Sequence, residues 1–341
     1  MGGLALPPLM IDPALLGPSE LLDLVEAAEP NPLLRRVDSL CERRAWDDLV
    51  ELARRCRQAL ERGKQLWPIA EHIDYRLALE APPEYAASVL TPTAGRFAPG
   101  PLTEVAASTH SFDDLEPYLS LPSTAGVVAA ERVLRGEDLM GRPQAHPEVL
   151  ELPMRLQSWE PAYALATYRS REVEVASPEL APVGRETRAT PSARIEDPEL
   201  SAALLELVAA WVTGSNARAE VAVSEGPAAA AIGALGVESF RIGEMTSRQS
   251  LALMAWTGAG GGAHGRRRGA AAGRSTAWWS AAALCDLEWP PDPDALGEEL
   301  SRLRWYRWEP HRLTGGWRLH LAVEAPAWGW AAAIAAEDRA E

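Results

Sequence analysis

Positive charge is scarce in this chain. Its 341 residues include 33 lysines and arginines against 48 aspartates and glutamates, which gives a formal net charge of −15 and a pI of about 5.0. Binding to nucleic acid needs a basic surface, so this composition argues against nucleic acid as a partner. The acidic balance fits a soluble protein and says little else.

Cysteines and long apolar runs are also few. Cys41, Cys56 and Cys285 are odd in number and have no CxxC spacing, so we expect buried thiols in a reducing compartment. No run reaches the ~18 apolar residues of a membrane helix. The first residues, MGGLALPPLMIDP, lack the basic region and the long apolar stretch of a signal peptide. We therefore expect a cytoplasmic protein without a membrane span.

Several catalytic and metal-binding signatures are missing. The sequence has no HExxH pair, no CxxC pair and no G-x-S-x-G turn, and its six histidines are scattered. We therefore expect no metal ion and no cofactor, and the sequence indicates no catalytic residue.

The first 150 residues have the pattern of successive helices. In 46–60, Leu49, Leu52 and Cys56 recur at three- and four-residue spacing, which places them on one helix face. Because no fixed period relates the helical segments, we predict an irregular antiparallel helical array and not a solenoid. The same periodicity predicts further helices at 18–28, 32–43, 68–80, 84–90, 101–108 and 124–135.

Several helix starts are marked by capping residues. Ser111 and Thr246 each stand three residues before an acidic or amide side chain, which is the spacing of a capping box. Asp197 followed by Pro198 marks the start of another helix, and Gly214 is expected just past its end.

After about residue 150 the pattern includes strands. Residues 163–177 carry β-branched and aromatic side chains with partial alternation and predict a strand pair. Residues 177–197 have three prolines and no periodicity, and predict a loop or linker. Alternation predicts further strands at 217–225 and 237–243.

The C-terminal segments are rich in tryptophan. Alternating side chains on either side of "EAPA" (324–327) predict two strands that form an antiparallel hairpin. "LRWYRW" (303–308) interleaves aromatic residues with arginines, as a platform for single-stranded nucleic acid does. Strand alternation instead places Trp305 and Tyr306 on opposite faces, so we expect one of them in the core.

Together these patterns predict a helix-rich α+β fold. An all-α array at 1–150 packs on a C-terminal part whose antiparallel sheet ends in a β-hairpin. A strand pair and linker at 151–198 join the array to an α+β domain at 199–341.

The stretch "GAGGGAHGRRRGAAAGR" (258–274) combines seven glycines with four arginines. Gly260, Gly262 and Gly265 match G-x-G-x-x-G, but that fingerprint requires a preceding strand, and "SLALMAW" predicts a helix. "GAAAGRS" (269–275) is one residue short of a phosphate-binding P-loop. The glycine pattern alone is therefore weak evidence for a nucleotide.

The later glycines have a second explanation. Gly265, Gly269 and Gly273 recur every four residues and would form one ridge of a helix that another backbone approaches closely. The same helix would carry Arg267, Arg274 and Trp278 on its opposite side, as an exposed or groove-lining stripe.

The arginines of this stretch lie in a segment without acidic residues. From Met245 to Cys285 there is no aspartate or glutamate. Two interpretations remain open: the arginines pair with carboxylates elsewhere in the chain, or they hold a phosphate, a carboxylate or an acidic partner. The candidate anion-binding residues are Gly260, Gly262, His264, Gly265, Arg266, Arg267, Arg268 and Arg274.

Three segments of the C-terminal part resemble a known group of proteins. They are "WVTGSNARAEV" (211–221), "MAWTGAGGGAHGRRRGAAAGR" (254–274) and "WGWAAAIAAEDRA" (328–340). The chain resembles an uncharacterised bacterial family from high-GC genomes, mainly over 211–341. The resemblance implies a family without an established activity, so no catalytic residue follows from it.

The sequence therefore favours a non-enzymatic binding or scaffold protein. Its expected partner is another protein or a small anionic ligand held at 258–274. The alternative is an enzyme that acts on a phosphorylated or nucleotide-like substrate, with the glycine loop 258–265 at the phosphate.

Overall fold

A computed structural model describes residues 18–91, 98–180, 182–311 and 316–339. Its N-terminal part consists of helices joined by short turns, and the predicted helical array is confirmed. The helices are α1 (Pro18–Ala27), α2 (Pro30–Glu42), α3 (Trp46–Ala59), α4 (Trp67–Glu80), α5 (Pro83–Ser88), α6 (Leu102–Thr109), α7 (Phe112–Leu115) and α8 (Pro122–Leu134).

The periodic apolar faces found in the sequence form the cores of this array. Leu49, Leu52 and Cys56 of α3 are buried against α2 and α4. A second cluster joins α4, α6 and α8 around Phe112. The capping box at Ser111 is formed, since its side chain accepts the Asp114 N–H, and it fixes the start of α7.

The predicted strand pair follows the array. β1 (Ala166–Tyr168) and β2 (Val173–Val175) form a small antiparallel sheet. Buried Tyr168 joins β1 to the core of the array.

The C-terminal part contains a larger antiparallel sheet, in the order β3-β6-β7-β8-β9-β5-β4 within the described residues. Its strands are β3 (Arg185–Arg188), β4 (Arg194–Ile195), β5 (Arg218–Glu225), β6 (Ser239–Met245), β7 (Arg304–Pro310), β8 (Trp317–Ala325) and β9 (Trp330–Asp338). The accompanying helices are α9 (Pro198–Glu206), α10 (Ala209–Gly214), α11 (Ala228–Ala234), α12 (Ser247–Ala259), α13 (Ala270–Leu284) and α14 (Pro293–Arg302).

This sheet is curled. Its two edge strands, β3 and β4, are joined by the six chain steps from Arg188 to Arg194, which reach at most about 22 Å. A flat arrangement of the same strands would separate the edges by about 29 Å. The sheet therefore bends, and the connection crosses over α11, where the Thr190 N–H donates to the Ala229 carbonyl at 3.3 Å.

Helices cover both faces of the sheet. One face packs against α9, α12, α13 and α14 around a core that includes Trp278 and Trp305. The other face packs against α11, with Phe240 and Trp308 in its core. Trp305 is the core residue expected in "LRWYRW", and Tyr306 lies half-buried on the opposite face.

The two parts of the protein meet where α13 packs on α8. Ala270 and Ala271 at the start of α13 contact Ala130 and Leu134 of α8 in a separate apolar cluster. The segment that follows the glycine loop therefore docks directly on the helical array.

Two local predictions differ from the structure. Residues 177–197 were expected to lack regular structure, yet they contain β3 and β4 at the sheet edges. Strands of two to four residues show no detectable alternation, because their pairing comes from β5 and β6. The helix expected from Pro198, with Gly214 just past its end, is divided into α9 and α10, and Gly214 is the last residue of α10.

The C-terminal hairpin is confirmed, with β8 and β9 antiparallel and joined by a turn after Ala325. In the described part of the chain, no helix is long and apolar enough to cross a membrane.

Candidate functional site

The glycine- and arginine-rich stretch is mostly a loop between α12 and α13. Gly269 precedes α13 with a φ of 102°, and Gly262 has a φ of 77°, both in the left-handed region that favours glycine. The expected helical ridge of Gly265, Gly269 and Gly273 is therefore wrong, because only Gly273 lies within a helix.

Gly273 does allow close packing, as expected. A Cβ at this position would lie 2.2 Å from the carbonyl oxygen of Ala255 and 2.7 Å from the Cβ of Ala259. Gly258 approaches Thr276 across the same contact. Small residues thus allow α12 and α13 to pack backbone against backbone.

The glycine loop holds a carboxylate of its own chain. The backbone N–H of Ala263 donates to Oδ2 of buried Asp338 at 2.6 Å. A Cβ on Gly262 would lie 2.2 Å from the same oxygen, so only glycine leaves room for it. The next N–H, of His264, donates to Oγ of Ser215 at 3.0 Å.

The remaining loop glycines are in close packing contacts. Gly260 lies against Trp317, and Gly265 lies against the backbone of Gly261. The loop therefore connects α10, α12 and the end of β9 within one packed unit.

Arg274 is buried on α13 and pairs with Glu160. Nε and Nη2 donate to the two carboxylate oxygens at 2.8 and 2.7 Å, and both side chains are fully buried. The guanidinium also donates to the carbonyls of Pro153 and Arg155 and lies 5.3 Å from the Trp278 ring. Burial favours the neutral form of Glu160, but the charge and hydrogen bonds of Arg274 outweigh it and lower the pKa of Glu160. Arg274 and Trp278 do share a helix side, but that side faces the core.

Arg267 forms an ion pair with a carboxylate of the helical array. Its Nε and Nη2 donate to Glu104 at 2.8 and 2.6 Å, and Glu104 is completely buried. The Tyr168 hydroxyl donates to the same carboxylate at 2.7 Å. Burial and the charge of Glu104 raise the pKa of Tyr168. This bidentate pair links the loop to α6 and β1.

A second buried carboxylate, that of Glu131 on α8, contacts the start of α13. It accepts the Ala271 N–H at 2.7 Å and a hydrogen bond from Arg135 at 2.8 Å. A Cβ on Gly269 would lie 3.0 Å from Glu131 and 3.6 Å from Glu104, so both carboxylates lie near this glycine. Burial and the charge of Glu104 raise the pKa of Glu131 to about 7.

The other candidates are at the surface. His264, Arg266 and Arg268 are exposed on the loop. The candidate residues are therefore not brought together around one ligand: Arg267 and Arg274 pair with separate buried carboxylates, and the exposed side chains lie outside those contacts.

A pocket of a different kind opens in the larger sheet. The β7–β8 ladder ends at the pair Arg307–Leu321. β7 nevertheless continues along β6 to Pro310, and β8 is paired with β9 from Trp317 onward. Beyond Arg307 the ladder between the two strands ends, and we call this open end of the ladder their separation, because the facing backbone edges there have no ladder bonds to each other.

The pocket at this separation has a volume of about 610 Å³. That volume lies within the range of small-molecule sites. Leu253, Trp256 and Trp317 line it from one face of the sheet, and Trp308 and His320 from the other. The pocket therefore reaches into the gap between the strands. We call it the β7–β8 pocket.

One wall of the β7–β8 pocket is aromatic. The rings of Trp256 and Trp317 are stacked at 5.0 Å with an interplanar angle of 16°. The Trp211 ring meets the Trp317 ring edge-on at 5.7 Å. Trp256 is anchored by its indole N–H, which donates to the Ala176 carbonyl at 3.1 Å. These contacts hold the tryptophans in place before any ligand arrives.

The polar groups of the pocket come from the two separating strands. Glu309 accepts hydrogen bonds from Arg241 at 2.6 Å and from Arg307 at 2.8 Å. Arg318, on β8, forms no ion pair with any described residue. The His320 ring packs on Trp308 at a centroid distance of 4.5 Å. Burial lowers the pKa of His320 to about 4, so its ring is neutral at pH 7.

The buried wall also contains an unsatisfied donor. Trp308 is 1% exposed, and its indole N–H has no acceptor among the described residues. An unpaired buried donor costs about 1–3 kcal/mol. Such a group is uncommon in a protein interior and calls for a physical account.

The three cysteine thiols of the chain are buried and lie outside this pocket. Cys41, Cys56 and Cys285 are buried free thiols, and burial raises their pKa values to about 11, 11 and 12. None of them lines the β7–β8 pocket. Across the described ranges, no group of three or more His, Cys, Asp or Glu side chains could hold a metal ion.

Sequence reasoning did not identify this pocket. "LRWYRW" contributes Arg307 and Trp308, but alternation addressed only which residues enter the core. Trp317 and His320 carried only the signal of a hairpin strand. The ladder between β7 and β8 decides where the strands separate, and no local pattern in either strand reports it.

The fold and the pocket define an α+β protein with a ligand-sized cavity at a separation in its sheet. The chain belongs to a family of unknown function (DUF6183), which matches residues 31–340. The match includes most of the helical array, whereas the resemblance found in the sequence was mainly over 211–341. The bacterial, high-GC origin stays a prediction. Comparisons with curated proteins and with solved structures gave no match.

Proposed function

We propose that the protein is a non-enzymatic binding protein and that its ligand is a small molecule with a flat ring, held in the β7–β8 pocket. The observation that carries the proposal is the separation of two central strands beside a preorganised tryptophan wall. Small-molecule sites are typically concave, largely apolar and equipped with few polar groups. The β7–β8 pocket is concave, and it combines an aromatic wall with the polar side chains of Arg307, Glu309, Arg318 and His320.

The aromatic wall selects the shape of the ligand. Stacking of a ring on an aromatic side chain contributes about 1–3 kcal/mol. Because Trp256 and Trp317 are held by contacts with neighbouring residues, a ligand need not order them on binding. A flat ring therefore gains most from this wall.

Binding without turnover is supported by the polar groups around the pocket. Glu309 is held by two arginines, and His320 is neutral and packed against Trp308. A general base needs a partner positioned to transfer a proton. The nitrogen Nε2 of His320 lies 3.7 Å from Oε1 of Glu337, which is beyond hydrogen-bond distance. The three buried thiols fit a reducing compartment such as the cytoplasm.

The proposal is tested by titrating the full chain with 2-naphthamide, a neutral two-ring probe, in a calorimeter. We expect saturable binding, and we expect Trp256→Ala to weaken it about tenfold through the lost stacking. Trp328→Ala is the matched control, because Trp328 is half-exposed, stacks on Trp330 and lies outside the pocket. Equal weakening by both substitutions would refute the proposed site.

An anion site at 258–274 is a second candidate, supported by the exposure of His264, Arg266 and Arg268 on one loop. Inorganic phosphate is the probe for this site. We expect Arg268→Ala to weaken phosphate binding and Trp256→Ala to leave it unchanged. Phosphate binding that is unaffected by Arg268→Ala would count against the loop, and hydrolysis of a phosphate ester by the chain would favour the enzyme alternative.

A further inference from the structure

We propose that the ligand of the β7–β8 pocket is an aromatic carboxylate, a flat ring system that carries a single negative charge. This inference rests on the proposed function and specifies the chemical class of the ligand. It follows from the charges and donors around the pocket and not from the ring alone.

Three side chains that are charged at neutral pH line the pocket. Arg307 and Arg318 bring two guanidiniums, and Glu309 brings one carboxylate. His320 adds none at neutral pH. Among the lining residues one positive charge therefore remains, which matches a monoanion. Arg241 and Glu337, which contact Glu309 and His320, lie outside the lining. A phosphate dianion would leave a negative charge without a partner beside Glu309.

The remaining positive charge of the pocket is that of Arg318. Glu309 already holds Arg307 and Arg241, which keeps Arg307 beside its own carboxylate. Arg318 has no ion pair with a described residue and is half-buried in the pocket wall. A partly desolvated guanidinium gains more from a carboxylate than an exposed one does, and it can bind both oxygens.

The buried wall of the pocket also has an unsatisfied donor, on Trp308. Its indole N–H lies in the buried wall, and the described residues provide no acceptor for it. The nitrogen has almost no accessible surface, so a ligand oxygen reaches it only if the Trp308 side chain turns toward the pocket, and that contact would satisfy the donor and remove its cost. Each carboxylate oxygen can accept more than one hydrogen bond, so the group can accept from the indole N–H in addition to Arg318.

The tryptophan wall and the Arg318 guanidinium lie on opposite faces of the sheet. Trp317 and Arg318 are neighbours on β8, so strand alternation points their side chains to opposite faces of the sheet. Because the pocket spans the separation between β7 and β8, it contacts both side chains. A ligand that stacks on the tryptophan wall and extends through the gap brings its charged end to Arg318.

The experiment compares three probes of the same ring system by calorimetry at neutral pH. They are 2-naphthoate, 2-naphthamide and 2-naphthyl phosphate. We expect 2-naphthoate to bind about tenfold more tightly than either of the other two, the difference that one charge-assisted contact provides. Arg318→Gln should abolish the preference for 2-naphthoate over 2-naphthamide, and Arg318→Lys should retain part of it.

The control variant is Arg304→Gln, an exposed arginine on β7 outside the pocket, which should leave all three affinities unchanged. Equal binding of the amide and the carboxylate would overturn the carboxylate inference while supporting the ring-binding function. Tightest binding of the phosphate would overturn the single charge. Failure of all three probes to bind would refute the proposed function itself.

Discussion

The ion pair between Arg274 and Glu160 is expected to stabilise the folded protein. The sign and approximate size of the change in unfolding free energy on removing it follow from its burial. Replacing Arg274 with methionine removes two buried hydrogen bonds to Glu160 and two partly buried ones to backbone carbonyls. The remaining Glu160 carboxylate would be a buried charge without a cation. Breaking such a pair typically costs about 3–5 kcal/mol of unfolding free energy.

The same substitution should make stability depend on pH. Without Arg274, burial is opposed only by the hydrogen bonds from Gln157, Tyr163 and Trp278, and we expect the folded-state pKa of Glu160 to rise above its unfolded value. A raised pKa means that the protonated carboxyl is favoured in the folded state, so stability is lost as pH rises through that pKa. We therefore expect Arg274→Met to be closer to the wild type at pH 5 than at pH 8.

Urea unfolding at the two pH values measures both effects. Arg268→Met is the control, because this exposed side chain should change the unfolding free energy by no more than about 0.5 kcal/mol. Adding Glu160→Gln to Arg274→Met should restore part of the loss, since the uncompensated charge is removed. A loss below about 1 kcal/mol for Arg274→Met at pH 8 would refute the reasoning.

Two further predictions concern the packing around the loop. The folded-state pKa of Glu131 is raised to about 7 from an ordinary 4.5, so its contribution to stability is full below pH 4.5 and is lost as pH rises through 7. In urea titrations, Glu131→Gln should reduce the fall in unfolding free energy between pH 5 and pH 8 by about 2 kcal/mol. An unchanged fall would contradict this prediction. Gly273→Ala should lower the unfolding free energy by about 2 kcal/mol, because its Cβ would meet the Ala255 carbonyl at 2.2 Å and the cost exceeds the ~1 kcal/mol gain in helix propensity. Gly184→Ala is the control, as nothing lies within 4 Å of its Cβ, and equal effects of the two substitutions would contradict close packing.

Local patterns in the sequence were sufficient for most of the fold. Apolar spacing placed the helices of the array within a few residues of their observed bounds, and the capping boxes at Ser111 and Thr246 are formed as expected. The terminal hairpin followed from alternation on either side of a short break. These signals are local, because they depend on neighbours within a turn of helix or a few residues of strand.

Local sequence patterns do not identify the carboxylates that pair with Arg267 and Arg274. Glu104 is 163 residues from Arg267, and Glu160 is 114 residues from Arg274. The absence of acidic residues around the loop indicated that compensation must come from elsewhere, but not which carboxylates provide it. Only the packing of the array against α13 brings these residues together.

The β7–β8 pocket depends on pairing between strands in the same way. β7 and β8 each have the alternation of an ordinary strand, and each is fully paired on its outer side near the pocket. Their separation from one another is a property of the sheet. The functional proposal therefore rests on the described geometry, and its most direct test observes the pocket wall itself.

That test is the indole N–H resonance of Trp308 in a ¹⁵N–¹H spectrum, assigned by its loss in Trp308→Phe. If a ligand enters the β7–β8 pocket and supplies the missing acceptor, adding 2-naphthoate should shift this resonance downfield and slow its exchange with solvent. The resonance of Trp328, outside the pocket, should stay in place. A saturable binding signal that leaves the Trp308 resonance unmoved would contradict the account.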